Sequence, residues 1–171
     1  MDYYGVPCKI LPTLFPERRS AVVPRPIEGT LLVSTSELGG TIWGPPEQNP
    51  YLQLWHEKPV TNLGGHTLVF QGRFDMPLLS ALSRVNNAQI LADKGRFDRA
   101  LAEARSVVEM APQSVQAHLV FAEILAQAKQ YSQARQEFSE AIRLAEMGEV
   151  GYYRIQVYLA RKAYAKLDSA P

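Results

Sequence analysis

Few residues in this chain have chemistry to offer. His56, His66 and His118 are the three histidines and Cys8 is the one cysteine. A metal centre or general base would need His56 or His66 to meet a carboxylate such as Glu57 or Glu37 in space, and no local spacing gathers such a set. The histidines are therefore read as solvated or hydrogen-bonded structural residues. Cys8 has no paired motif around it and reads as a plain thiol. Gly39-Gly40 and Gly64-Gly65 lack the spacing of a phosphate loop and the Lys-Ser/Thr that would follow one, so they read as turn glycines. The best-placed polar group is Ser34-Thr35-Ser36-Glu37, at the end of an expected strand. Ser34, Ser36, Glu37 and Trp43 form the candidate ligand site, because ligands in open α/β layers gather at strand carboxyl ends. The alternative is a capped short helix with Trp43 in the core. No catalytic residue, metal ligand or cofactor is expected.

The elements that would position these residues divide the chain in two. Ten of the twelve prolines lie at or before Pro77, and eight of the eleven glycines at or before Gly72. Beyond Pro77 the chain is rich in Ala, Leu, Glu, Gln and Arg, all good helix formers. The expected domains are 1–74, a small α/β unit, and 75–171, a helical unit. Asp75 is a candidate N-cap and Pro77 suits a first helical turn.

In the first half, Thr30–Ser34 reads as a strand and Ser36 as the cap of a short helix. Gln48–Lys58 reads as a helix of two to three turns, Val60–Leu63 as extended, and His66–Phe70 as a second strand. The second half reads as helices over 76–94, 97–110, 114–129, 132–147 and 150–167, with Gly148 and Gly151 at the last break. In the last helix, Tyr152, Ile155 and Leu159 make the stripe expected to cap the hairpin before it. Tyrosines and basic residues would form its outer face.

An internal repeat runs through the helical half. Leu91-Ala92-Asp93-Lys94-Gly95-Arg96-Phe97-Asp98-Arg99-Ala100 is followed roughly 34 residues later by Leu125-Ala126-Gln127-Ala128-Lys129-Gln130-Tyr131-Ser132-Gln133-Ala134. Alanine where helices cross lets backbones approach, and each hairpin must bury its apolar stripe on the next. The pattern resembles the tetratricopeptide repeat. Ala88, Leu91, Gly95, Phe97, Ala100, Ala104 and Pro112 fall on its positions in one unit. Ala122, Leu125, Tyr131, Ala134, Phe138 and Ala141 do so in the next. Arg84 and His118 stand where that family often has Trp, and Lys129 stands for its loop Gly. The fold class is then mainly α: two tetratricopeptide-like hairpins and a capping helix after a small, partial α/β domain.

This resemblance implies a partner groove lined by the first helix of each hairpin: Leu82, Val85 and Gln89, then Gln116, Leu119, Val120, Glu123 and Gln127. The cationic clamp that some members use for a terminal carboxylate is not there. A mixed apolar and Gln groove fits a helix or extended peptide, and it fits equally the chain's own N-terminal half.

The first half carries a second resemblance. Tyr3-Tyr4-Gly5, Glu28–Gly40, Tyr51-Leu52-Gln53-Leu54-Trp55 and Lys58–Phe70 look like successive parts of the soluble C-terminal domain of glycosyltransferase family 39-like membrane proteins. The resemblance implies a module outside the cytoplasm, behind a membrane region upstream, with a chain that begins mid-domain. It carries over no catalytic residue. The membrane helices and acidic catalytic loop of that family are absent, so no enzyme activity is expected.

Composition narrows the partners. With 46% hydrophobic and 20% charged residues and a net charge of +1, the chain has no electrostatic footprint for nucleic acid. No apolar run is long enough to span a bilayer. The leading expectation is a non-catalytic protein-interaction module on the tail of a membrane glycosyltransferase-like protein. The others are an accessory domain that helps bind the acceptor in lipid-linked sugar transfer, and a free-standing scaffold. The compartment follows the context: extracytoplasmic if joined to such a region, cytoplasmic if the chain is complete.

Overall fold

The computed structural model describes residues 2–3, 6–7, 11, 22–40, 43, 46–147 and 152–168, with 2–3, 6–7, 152–156 and 168 described in backbone alone. Cys8, Tyr4, Gly5, Gly148 and Gly151 lie outside the described residues, as do the side chains of Tyr152 and Ile155.

Asp2–Tyr3 (β1) and Val6–Pro7 (β2) pair as a short antiparallel ladder. The main sheet has three antiparallel strands in the order β3-β5-β4, from Ile27–Ser34 (β3), Thr61–Leu63 (β4) and Thr67–Phe74 (β5). β3 and β5 pair from Ile27 opposite Phe74 to Ser34 opposite Thr67. Side chains alternate across a strand, so Leu31 and Val33 turn inward with Phe70, and Leu32 faces out, 56% exposed. Gly64 and Gly65 both have positive φ, 63° and 80°. They make the tight turn from β4 to β5 that a residue with a Cβ would resist.

Two expectations for this half are corrected. Gln48–Lys58 does not form an α-helix; Pro46–Gln48 and Leu52–His56 are separate 3-10 turns. Asn49 accounts for the break, because its Oδ1 accepts from the Tyr51 backbone N–H at 2.9 Å and its Nδ2 donates to the Leu38 carbonyl at 3.1 Å. That side-chain bond competes with the helical ladder. The short helix Thr35–Leu38 (α1) is capped by Ser34, not Ser36.

The helical half holds α2 (Pro77–Asp93), α3 (Phe97–Met110), α4 (Val115–Gln127), α5 (Tyr131–Glu146) and α6 (Tyr152–Asp168). Pro77 opens α2 as expected. Asp75 does not cap it: the cap position is Met76, and Asp75 pairs with Arg25 at 2.6 Å instead. α2 packs on α3 and α4 on α5, the two hairpins meet through α4, and α6 lies on α5. The molecule is mainly helical with a small antiparallel sheet at its N-terminal end.

One core joins the two halves. Val33, Tyr51, Leu54 and Phe70 share it with Met76, Leu79, Leu82 and Val85, all at most 4% exposed. The segment before β3 is stitched to α2. The Val23 N–H donates to Ser83 Oγ and Ser80 Oγ donates to the Val23 carbonyl, each at 2.9 Å and buried. Gln48 Nε2 donates to the Gln113 carbonyl at the joint between the hairpins. A second core lies between the hairpins, where Ala88, Ala92, Ala100, Ala104, Ala122 and Ala134 surround Phe121, Ile124, Leu125 and Phe138.

Of the stripe expected on α6, the described member, Leu159, turns outward. Leu159 is 54% exposed. Ala160 and Leu167 are buried, with Ala163 and Tyr164 packed beside them. Ala160, 1% exposed, lets α6 come close to its neighbours.

The breaks inside the hairpins are equivalent. Gly95 has φ 71° and Lys129 has φ 62°, the one positive φ at a non-glycine among the described residues. A side chain in this conformation costs about 1–2 kcal/mol, and glycine returns about 0.4–1 kcal/mol to the unfolded chain. Lys129→Gly is expected to stabilise the protein by about 0.5–1 kcal/mol, read as a raised urea midpoint.

Candidate functional site

The first candidate site sits at the start of α1. Ser34, Ser36 and Glu37 stand together. The Glu37 N–H donates to Ser34 Oγ at 3.2 Å, Ser34 Oγ donates to Glu37 Oε2 at 3.3 Å, and the Ser34 and Ser36 hydroxyls lie 3.0 Å apart. These bonds cap the start of α1. Burial pushes the Glu37 carboxyl up, and the Ser34 hydrogen bond pulls it partly back. Trp43 is in the core, 3% exposed, with its ring centroid 6.2 Å from that of Tyr51. Burial first, and the Glu37 charge second, push the Tyr51 hydroxyl well above its usual range, so it stays protonated. The rule that led to this site concerns parallel sheets, and this sheet is antiparallel.

Beside α1 lies an open cleft of about 430 Å³ that sequence reading missed, lined by Thr35, Leu38, Leu54, Trp55, Pro59 and Phe70 among others. Trp55 is half exposed there, and its indole N–H donates to the Leu38 carbonyl. The lining is mainly apolar, with the carboxylate of Glu57 at it. Among the described residues no three His, Cys, Asp or Glu side chains gather as metal ligands would.

The groove residues fall into two groups. Leu82 and Val85 are 4% and 2% exposed, inside the core shared with the N-terminal half. Gln89 is half buried, and its amide donates to Asp93 Oδ1 at 3.2 Å. On α4, Gln116, Leu119 and Val120 are half buried, and Glu123 and Gln127 are exposed. Their spacing of three and four residues puts them on one face of the helix. The opposite side of α4 buries Ala117, His118, Phe121, Ala122, Ile124 and Leu125. Leu119 and Val120 also touch the cores on either side.

The helix pairs are latched by an ion pair that recurs with the repeat. Arg84 on α2 meets Glu103 on α3 at 3.2 Å, and His118 on α4 meets Glu137 on α5 at 2.7 Å. Both pairs span 19 positions. Each basic residue stands where the repeat often carries Trp, and reaches across its hairpin to an acid at the same place.

His118 has a second bond, from Nε2 to the Pro112 carbonyl at 3.0 Å. A carbonyl can only accept and an ionised carboxylate accepts, so both bonds are made together when the ring is an imidazolium. Burial works against that charge. The Glu137 hydrogen bond, the Pro112 carbonyl and the charges of Glu137 and Glu140 outweigh it, and the His118 pKa is raised. A raised folded value stabilises the protein fully below the unfolded value near 6.5, and this stabilisation is lost as pH rises through the folded value. The urea midpoint is therefore expected to fall as pH climbs above about 6.5. His118→Gln is expected to cost about 1–2 kcal/mol at pH 6 and to flatten that profile. A wild-type slope that survives in the variant would assign the titration elsewhere.

The family comparison matches this geometry. A family model described as Tetratricopeptide repeat covers residues 85–148. No curated protein and no solved structure matches the chain, so the glycosyltransferase-like resemblance of its first half gains no support there. On the paired helices, the recurring latch and the family model, residues 85–148 carry a tetratricopeptide repeat.

Proposed function

We propose that this chain is a non-catalytic protein-interaction module that receives its partner on the open face of α4. Tetratricopeptide repeats generally mediate protein–protein interaction. The observation that carries the reading is the difference between the two hairpins. On α2 the groove positions Leu82 and Val85 lie in the core shared with the N-terminal half, whereas on α4 Gln116 and Leu119 are half buried and Glu123 and Gln127 are exposed. The N-terminal half thus supports the repeat and closes one end of its groove. A photo-crosslinking residue placed at Gln116 or Gln127 is expected to give discrete protein adducts in host extracts, and one at Arg105 on the outer side of α3 is expected to give none. Leu119→Glu is expected to remove those adducts without abolishing folding, checked by circular dichroism. Equal labelling from Arg105 would sink the assignment.

The resemblance of the first half supports a finer context, in which the module is the tail of a membrane glycosyltransferase-like protein, either recruiting a partner or helping to hold the acceptor. No helix among the described residues is long and apolar enough to cross a membrane, so membrane attachment in this context would come from another segment. An antibody to residues 75–171 tests it: a larger band in the membrane fraction of host cells is expected, and a band of 19.1 kDa in the soluble fraction alone would remove this context.

A further inference from the structure

We infer that the cleft beside α1 is a binding site for a small organic ammonium ion, whose alkyl groups rest on Trp55 and the apolar walls while its charge faces Glu57. The site lies in the N-terminal half and does not depend on the α4 reading. It exists because the expected helix over Gln48–Lys58 is broken. The bonds of Asn49 separate two 3-10 turns. The second turn, Leu52–His56, buries Leu54 at 1% exposure and leaves Trp55 at the surface, 50% exposed. Leu68 and Phe70 stand two positions apart on β5 and so face the same side of the sheet. Together with Leu38, Gly39 and Pro59 they enclose about 430 Å³, a volume of the size that small-molecule sites use.

Two side chains give the cleft its chemistry. The Trp55 indole N–H donates to the Leu38 carbonyl, which also accepts from Asn49 Nδ2 at 3.1 Å. The ring is thus held by its edge while half of the side chain stays exposed at the cleft. Glu57 follows the turn in extended backbone, its N–H bonded to the Leu54 carbonyl. Its carboxylate is exposed and makes no hydrogen bond or ion pair with a described residue. His56 and Lys58, on either side of it in the chain, are exposed and lie outside the lining, and Glu37 on α1 is bonded to Ser34. Glu57 is therefore the charge that the described lining offers, and Thr35 its hydroxyl. An aromatic face and a carboxylate both attract a cation, and an alkylammonium ion also presents methyl groups to apolar walls. A neutral apolar ligand would strip water from Glu57 with nothing in return. A sugar would bring more hydroxyls than Thr35 and Glu57 could satisfy.

Choline and its uncharged carbon isostere, dimethylbutanol, test this on the full chain at constant ionic strength. The chain has two tryptophans, and Trp43 is buried, so the indole N–H signals in an NMR titration separate the cleft from the core. Choline is expected to shift the Trp55 signal saturably and to bind about fivefold more tightly than the isostere. Glu57→Gln is expected to weaken choline about threefold and to leave the isostere unchanged. Glu57 is exposed, so that variant should keep the wild-type unfolding curve. In Trp55→Leu, which keeps an apolar side chain and loses the aromatic face, the choline-dependent shift of the Gly39 amide is expected to vanish. Equal affinity for choline and its isostere, for choline and glucose, or of choline for the wild type and Glu57→Gln, would overturn the inference. So would the lack of any saturable shift at Trp55 with choline.

Discussion

Removing residues 1–74 is expected to leave the helical half unable to hold its first hairpin. In the intact chain, Leu79, Leu82 and Val85 of α2 share a core with Val33, Tyr51, Leu54 and Phe70. The truncation would turn that face of α2 to water. Each large apolar side chain returned to water costs about 1.5–3 kcal/mol. Three of them would approach the whole stability of a typical domain, about 5–15 kcal/mol, although a compact unfolded chain softens the figure. Ser80 and Ser83 would also lose their buried partner at Val23. Two hairpins have little reserve, since repeat arrays gain stability by adding neighbours. Circular dichroism and dye binding on the truncated chain should show reduced helix and exposed apolar surface at temperatures where the full chain is folded. An unchanged unfolding midpoint would mean that the shared core contributes little.

Phe138→Ala should be the most damaging point substitution between the hairpins. Phe138 is 2% exposed on α5, in a core whose other buried members are largely alanines. Alanines let the helices approach, but they cannot swing into a space left by a ring. The cavity would therefore stay open, and large-to-small changes of this type cost about 3–5 kcal/mol. Phe138→Leu keeps most of the volume and should cost about 1 kcal/mol. Urea unfolding of both variants checks the contrast. Similar midpoints for the two would indicate that α4 and α5 can close over the gap, and that the helix spacing is less fixed than the alanine pattern implies.

How much of this was legible beforehand follows the range of each interaction. The helix ends around α2 to α6 were placed within a few residues from composition, prolines and the recurrence of small and aromatic residues. Those are local signals, repeated twice. Gly95 and Lys129 could be matched as equivalent breaks from spacing alone, and the left-handed φ of Lys129 follows from the geometry that the break needs. The strands were found but drawn short, because β3 and β5 extend each other through cross-strand pairs that no single strand displays.

Other features could not be read from one segment at a time. The Asn49 side chain broke an expected helix by bonding its own neighbourhood. Ser34 took the cap that Ser36 seemed to own. α6 turned Leu159 outward, with Ala160, Tyr164 and Leu167 on its packed side. The pairing of Arg84 with Glu103 and of His118 with Glu137 was written in the sequence as one spacing used twice, yet an acid at 19 positions has meaning only once two helices are folded against each other.

The sequence by itself thus determined a helical repeat whose first helices lack the cationic clamp. That information resides in residue type and period, which the chain carries unfolded. Only the tertiary structure decided which residues of those helices are buried. Burial is a property of neighbours: Leu82 and Val85 stand at the same type of position as Gln116 and Leu119, and they are buried because the N-terminal half packs on them, whereas Gln116 and Leu119 are half buried.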